Sequence, residues 1–258
     1  MPHRPQIVFT GDSLQPAWRP YVRGFTMAFQ PIFDIATGQV FAHEALVRSP
    51  AGGPAAEVMR HVHRRTRYSF DRRCRIKAIA MAAALGLDSR LSLNCMPDVV
   101  MNPDTCIRAT LIAADHYGLD PARLIFEFDE RHYLRDPQHL RAVMAGYRRH
   151  GFLTAIDNFS TGFAGLGALC DRQTDMIKLD RTLIHRIDSD AERQRTVRSI
   201  AGLCADLGLL VIAEGVESQV EFDALRHLGV AHMQGCYLRE PLMERLCGNA
   251  HVPLPAAA

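Results

Sequence analysis

A chain of 258 residues with 48% hydrophobic content can bury one large core, so a single domain suffices. Thirty basic residues against 28 acidic ones leave a net charge of +2, and with no interleaving of aromatic and basic residues this argues against nucleic acid as a partner. The longest apolar run, Leu207 to Ala213, is too short to span a bilayer and the first 23 residues hold no signal-like stretch, so the expectation is a cytoplasmic protein without membrane contact.

In chain order, residues 1–24 read as an extension, residues 25–246 as one barrel-like domain and residues 247–258 as a tail. Short apolar, β-branched runs predict strands at Phe25 to Gln30, Phe41 to Val47, Leu91 to Cys95, Leu124 to Phe128, Leu153 to Phe159, Met176 to Asp180, Leu209 to Glu214 and Met233 to Leu238. Between them, helical patterns cover Ala55 to Thr66, Phe70 to Leu85, Cys106 to Tyr117, Pro137 to Arg149 and Ala191 to Leu207. The last of these places Val197, Ile200, Ala201, Cys204 and Leu207 on one stripe. Ser189 with Glu192, and Ser218 with Glu221, have the spacing of capping boxes. About eight strands alternating with helices favour a parallel, helix-wrapped sheet, and about 250 residues is the usual size of a TIM-like (β/α)8 barrel of the α/β class.

Six of the apolar runs close on a residue that can bind a metal or move a proton: Glu44, Asn94, Glu127, Asp157, Lys178 and Glu214. In a barrel of alternating strands and helices, that rim is the active-site face. Glu44, Asn94, Glu127 and Asp157 offer hard oxygen donors, which suit Mg²⁺ or Mn²⁺ better than zinc. Three carboxylates meeting on one rim would repel one another, and a divalent cation removes that repulsion. Taken singly, a strand-end acid is more often a helix cap or salt-bridge partner; taken together they point to a metal. A carboxylate pair for acid-base work on another substrate, such as a sugar, leaves Asn94 and Lys178 without a role. Cysteines at 74, 95, 106, 170, 204, 236 and 247 form no CxxC pair and read as small buried residues in a reducing compartment. The basic run His61 to Arg67, with Arg72, Arg73, Arg75 and Lys77, reads as a solvated helix face.

The run Gln30-Pro31-Ile32 followed by Glu44-Ala45-Leu46-Val47-Arg48 resembles the signature of the EAL-domain family, the bacterial cyclic di-GMP phosphodiesterases. The likeness continues through the Ser-Leu-Asn strand ending at Asn94, Glu127-Phe128-Asp129-Glu130, Asp157-Asn158-Phe159-Ser160-Thr161-Gly162-Phe163, Lys178-Leu179-Asp180-Arg181, Ala213-Glu214-Gly215-Val216-Glu217 and Gln234-Gly235, over roughly residues 25 to 243. The resemblance implies a modified TIM barrel that opens one phosphodiester of cyclic di-GMP to give linear pGpG with two divalent ions, Mg²⁺ or Mn²⁺. It implies that Glu44, Asn94, Glu127 and Asp157 hold the first ion, and that Asp157 and position 158 serve the second. Lys178 and Glu214 would orient and deprotonate the attacking water, Glu214 serving as base or in the water shell of the second ion. Gln30, Arg48, Asp180 and Gln234 would contact substrate, with Gln234 also a candidate for ordering the water, and Glu130 would steady the loop after the strand that carries Asp157. A homodimer is implied by resemblance only, and a protein partner is an alternative source of regulation.

Two departures stand out. Asn158 replaces the family's second aspartate and Ser160 replaces its glycine, while Asp129 stands where the family has threonine and Phe163 where it has tyrosine. An amide offers one carbonyl oxygen but no charge, so the second ion should bind more weakly. Asp129 either replaces the lost charge or merely occupies the rim, and Ser160 restricts the backbone if that position needs φ > 0. Two functional classes therefore remain: a working phosphodiesterase, or a degenerate module that binds cyclic di-GMP or a protein without turnover.

Overall fold

The computed structural model describes residues 24–100, 103–160, 169 and 174–248. Among these, nine strands form one sheet: β1 (Thr26–Asp34), β2 (Gln39–Arg48), β3 (Arg90–Asn94), β4 (Leu124–Asp129), β5 (Leu153–Phe159), β6 (Met176–Leu179), β7 (Leu210–Ala213), β8 (His232–Met233) and β9 (Leu242–Met243). Neighbouring pairs from β2 to β8 are parallel. β1 then closes the ring by pairing antiparallel to both β2 and β8, and β9 adds a short antiparallel pairing on β1.

This corrects the all-parallel expectation. The first strand runs on to Asp34 instead of stopping at Gln30 and turns directly into β2. Asp34 makes that turn, accepting from the Ala36 amide at 2.9 Å, and Gly38 completes it at φ 70°. A tight hairpin can join only antiparallel strands, so the reversal follows from the short connection. The last predicted strand also shrinks: residues 236–238 form a turn, not a strand continuing to Leu238.

Helices wrap the ring: α1 (Ala55–Met59), α2 (Arg67–Ala84), α3 (Pro103–Tyr117), α4 (Glu130–Arg135), α5 (Pro137–Arg149), α6 (Arg181–Ile184), α7 (Ala191–Leu207) and α8 (Gln219–His227). The predicted helix over Ala55 to Thr66 breaks after Met59. Of the two predicted boxes, Ser218 and Glu221 form theirs at the start of α8. At α7 the cap is Asp190, whose carboxylate accepts from the Glu192 and Arg193 amides, and not Ser189.

Side chains alternate across the wall of the barrel. One set faces the helices, where Phe126 and Phe128 pack edge-on against Tyr147 at 4.4 and 5.7 Å. The other set faces inward, and its lower layer is a separate apolar cluster of Ile32, Ala42, Ile125, Ala155, Met176 and Ile212. Each lies two positions from a polar residue on its own strand or just past it: Gln30, Glu44, Glu127, Asp157, Lys178 and Glu214. Because the period of a strand is two, those polar groups share the inward face and form a layer above the apolar plug.

The cysteines and the basic run need two corrections. Cys74, Cys95, Cys106, Cys204 and Cys247 are free and buried or half-buried, but Cys236 is exposed; Cys170 lies outside the described residues. Arg75 does not belong to a solvated face: it is 1% exposed, pairs with Asp71 at 2.9 Å and donates to the Tyr147 hydroxyl at 2.9 Å. No helix among the described residues is long and apolar enough to cross a membrane.

Candidate active site at the barrel mouth

The polar layer is centred on the Lys178 ammonium, which is 1% exposed. Its Nζ lies 2.7 Å from Glu127 Oε1, 3.1 Å from Glu44 Oε2 and 3.9 Å from Asp157 Oδ1, and it also pairs with Glu214. Burial works against its charge, but the carboxylates of Glu127, Glu214, Glu44 and Asp157 hold the ammonium well above the ordinary lysine range. The acids of Glu44, Glu127, Asp157 and Glu214 thus converge on an ammonium, where the sequence expectation set Glu44, Asn94, Glu127 and Asp157 around a cation.

One ammonium cannot neutralise four carboxylates. Burial, reinforced by the charges of Glu44 and Asp157, pushes Glu127 up to about 8. Asp157 and Glu214 are raised for the same two reasons, burial first and neighbouring acids second. Glu44 is the exception: despite burial, Lys178, Gln234 and Asn94 hold it below its usual value. Its Oε2 accepts from Gln234 Nε2 at 2.8 Å and its Oε1 from Asn94 Nδ2 at 2.9 Å.

Ser92, which the sequence reading missed, donates to Glu127 Oε1 at 2.5 Å. It lies two residues before Asn94, so strand alternation was the signal that would have found it. The second carboxylate oxygen, Glu127 Oε2, and the amide oxygen Gln234 Oε1 are buried with no hydrogen-bond partner. Among the described residues no three carboxylate, imidazole or thiol groups are spaced to share one ion as they stand. The oxygen-rich donor set, its excess negative charge and the orphaned Glu127 Oε2 nevertheless fit a hard divalent cation. Such an ion and the Lys178 ammonium would compete for the oxygens of Glu44 and Glu127.

Beside the polar layer opens a cleft of about 290 Å³ whose walls include Gln30, Glu44, Asp157, Asp180, Glu214 and Gln234. Gln30 Oε1 accepts from Gln234 Nε2 at 3.2 Å, bridging the antiparallel first strand to the end of β8. Asp180 caps α6, accepting from the Thr182 amide at 2.7 Å. Arg48 does not line this cleft; its Nη1 turns back to the Val47 carbonyl at 2.9 Å. Gly235 lets two backbones touch, because a Cβ there would stand 2.0 Å from the Val216 carbonyl oxygen.

Near the end of β5, where its pairing with β6 shifts register between Ile156 and Phe159, Asn158 adopts φ 56°. Its Nδ2 donates to Asp157 Oδ2 at 3.0 Å and to Asp129 Oδ2 at 3.2 Å. Glu130 Oε2 accepts from both the amide and the hydroxyl of Ser160 at 2.9 Å, so this glutamate ties down the same loop. Among the described residues the non-glycine positions of positive φ are Asn158, Arg186 and Glu244, so the strained position in the loop is 158 and not 160. Thr161, Gly162 and Phe163 lie outside the described residues.

A helix-wrapped barrel with one reversed strand and an acidic, lysine-centred mouth places the chain among the α/β proteins of modified TIM-barrel type. The chain belongs to the EAL domain family, which it matches over residues 14–241. It is similar to a standalone EAL protein from Vibrio cholerae O395 solved with cyclic di-GMP bound, at 42% identity and TM-score 0.84, covering 89% of this chain and 96% of that one. It is similar to BlrP1 of Klebsiella pneumoniae in a manganese and cyclic di-GMP complex, at 31% identity and TM-score 0.81, covering 89% of this chain and 59% of that one. Among curated proteins it is 30% identical over 209 residues to the blue light- and temperature-regulated antirepressor BluF of Escherichia coli, covering 81% of this chain and 52% of the relative. It is 28% identical to a cyclic di-GMP phosphodiesterase of Pseudomonas aeruginosa, covering 85% of this chain and 39% of the relative. The chain thus spans about half or less of the length of these curated relatives.

Proposed function

We propose that the chain is a divalent-cation-dependent phosphodiesterase that opens one phosphodiester of cyclic di-GMP to give pGpG. The observation that carries this reading is the convergence of Glu44, Glu127, Asp157 and Glu214 on Lys178, with Asn94 hydrogen-bonded to Glu44. Glu44, Asn94, Glu127 and Asp157 would hold a cation such as Mg²⁺ or Mn²⁺. When bound, that ion lowers the pKa of a water and offsets charge on the phosphorane-like transition state.

The chain's own groups do the rest. With the neighbouring acids offset by a bound cation, Glu214, in contact with Lys178, would take the proton from the attacking water as the new P–O bond forms and the ring P–O bond breaks, and the departing ribose oxygen would take a proton from solvent. Lys178 keeps its positive charge beside the phosphate, where negative charge builds. Gln30, Asp180 and Gln234 line the wall that would receive a guanosine, and Arg48 would have to swing from the Val47 carbonyl to reach a phosphate. Glu130 steadies the loop that carries Asn158 through Ser160. A homodimer and a cytoplasmic location belong to this reading through the family resemblance alone.

The test is turnover of cyclic di-GMP across a Mg²⁺ and Mn²⁺ titration, with pGpG as product and Glu44→Ala lacking both metal binding and turnover. Binding of cyclic di-GMP without hydrolysis over a broad Mn²⁺ range overturns it. That outcome would establish the second reading, a receptor without turnover, which the engagement of the Asn158 amide by Asp157 and Asp129 favours. Under the enzyme reading Asn158→Asp raises activity.

A further inference from the structure

We infer that the mouth holds a single divalent cation, and that a hydrogen-bonded chain of Arg131, Asp129 and Asn158 takes the place beside Asp157 that a second ion would need. The inference rests on the metal-dependent reading above and goes beyond it by fixing the number of ions and naming the residues responsible.

Residue 158 engages both oxygens of Asp157. Its backbone amide donates to Oδ1 at 2.8 Å and its side-chain amide to Oδ2 at 3.0 Å. The same Nδ2 reaches Asp129 Oδ2 at 3.2 Å. With two carboxylates facing it, the amide group presents its donor side, since the opposite orientation would set three oxygens against one another. A cation at this position would meet N–H groups instead of oxygen.

Asp129 does not restore the missing ligand. Its Oδ1 accepts from the Arg131 amide at 2.9 Å and from Arg131 Nε at 2.8 Å, while its Oδ2 accepts from Arg131 Nη2 at 2.6 Å. The carboxylate is thus clamped by a two-pronged guanidinium and capped onto the first turn of α4. Asp129 and Arg131 cancel in charge and Asn158 is neutral, so these three residues add no net negative charge beside Asp157. The exposed guanidinium is spent on Asp129, so this edge of the mouth offers a second cation neither a free carboxylate nor excess negative charge.

Calorimetric titration of the metal-stripped full chain with Mn²⁺ reads the number of ions without reference to activity. One ion per chain is expected for the native sequence. Asn158→Asp combined with Arg131→Ser should gain a second ion with a Kd at least tenfold tighter than any second event in the native chain. Two ions of similar affinity in the native chain overturn this inference while leaving the phosphodiesterase reading intact. No bound Mn²⁺ overturns both. Because Asn158→Asp places two carboxylates side by side, Asp129→Thr with Arg131→Ser serves as the gentler variant. It should stay at one ion, since the Asn158 amide remains, and a second ion there overturns the assignment to residue 158.

Discussion

Replacing Glu127 with glutamine should make the metal-free protein more stable at alkaline pH while removing its ability to bind a cation. Glu127 is 1% exposed and its carboxyl is pushed from 4.5 up to about 8, chiefly by burial and then by Glu44. The folded chain therefore holds this proton more tightly than the unfolded one. Its contribution is fully present below pH 4.5 and is lost as the pH climbs from 4.5 to about 8. With each tenfold in proton affinity worth about 1.4 kcal/mol, the penalty is about 1 kcal/mol at pH 5 and about 4 kcal/mol at pH 8. Glutamine carries none of it. Its carbonyl can still accept from Ser92 and Lys178, but its NH₂ replaces Glu127 Oε2, which has no partner, and a buried unsatisfied donor costs about 1–3 kcal/mol. Near pH 5 the variant should match the parent or fall slightly below it, and at pH 8 it should exceed it by about 1–3 kcal/mol. Urea unfolding in the presence of a chelator at both pH values measures the difference. A stability difference that stays flat between pH 5 and pH 8 would refute the account of a mouth overloaded with negative charge.

Gly235→Ala drives a Cβ to within 2.0 Å of the Val216 carbonyl oxygen and 2.4 Å of its amide nitrogen, both backbone. A loss of about 3 kcal/mol in unfolding free energy is expected, together with displacement of neighbouring Gln234 and weaker nucleotide binding by calorimetry. His43 is buried, its Nε2 accepting from the Cys247 amide at 3.0 Å, and burial lowers its pKa from 6.5 to about 4. A depressed histidine gives stability that is complete above pH 6.5 and drains away down to about 4, so about 2 kcal/mol should be gone by pH 5. His43→Gln should flatten that slope in thermal melts between pH 7 and pH 5, and an unchanged slope would assign the pH dependence elsewhere. Ser218→Ala breaks the capping box of α8, whose two halves join Ser218 Oγ to the Glu221 amide and Glu221 to the Ser218 amide. It should cost about 1 kcal/mol by urea unfolding, with metal binding unchanged.

The strand-end polar residues were legible because they are local: a short apolar, β-branched run that closes on Glu44, Glu127, Asp157 or Lys178 announces both the strand and the end that faces the mouth. The Ser218 and Glu221 box was legible for the same reason, being four consecutive residues that satisfy their own amides. Local patterns failed where two solutions share one spelling. Ser189 and Asp190 are adjacent cap formers, and only the approach of the chain to α7 selects the aspartate. Arg75 looked like its basic neighbours until Asp71 and the Tyr147 hydroxyl enclosed it.

The sequence by itself thus determined the alternation of strands and helices and the strand-end members of the polar layer, Glu44, Glu127, Asp157, Lys178 and Glu214. Tertiary structure alone decided that β1 runs backwards, bringing Gln30 to the mouth, and that four acids from four strands share one ammonium. It also decided that Asn158 spends its amide on Asp157 and Asp129. The physical reason is that charge, proton affinity and ligand capacity depend on distances between residues remote in the chain, while strand and cap formation depend on neighbours a few positions away.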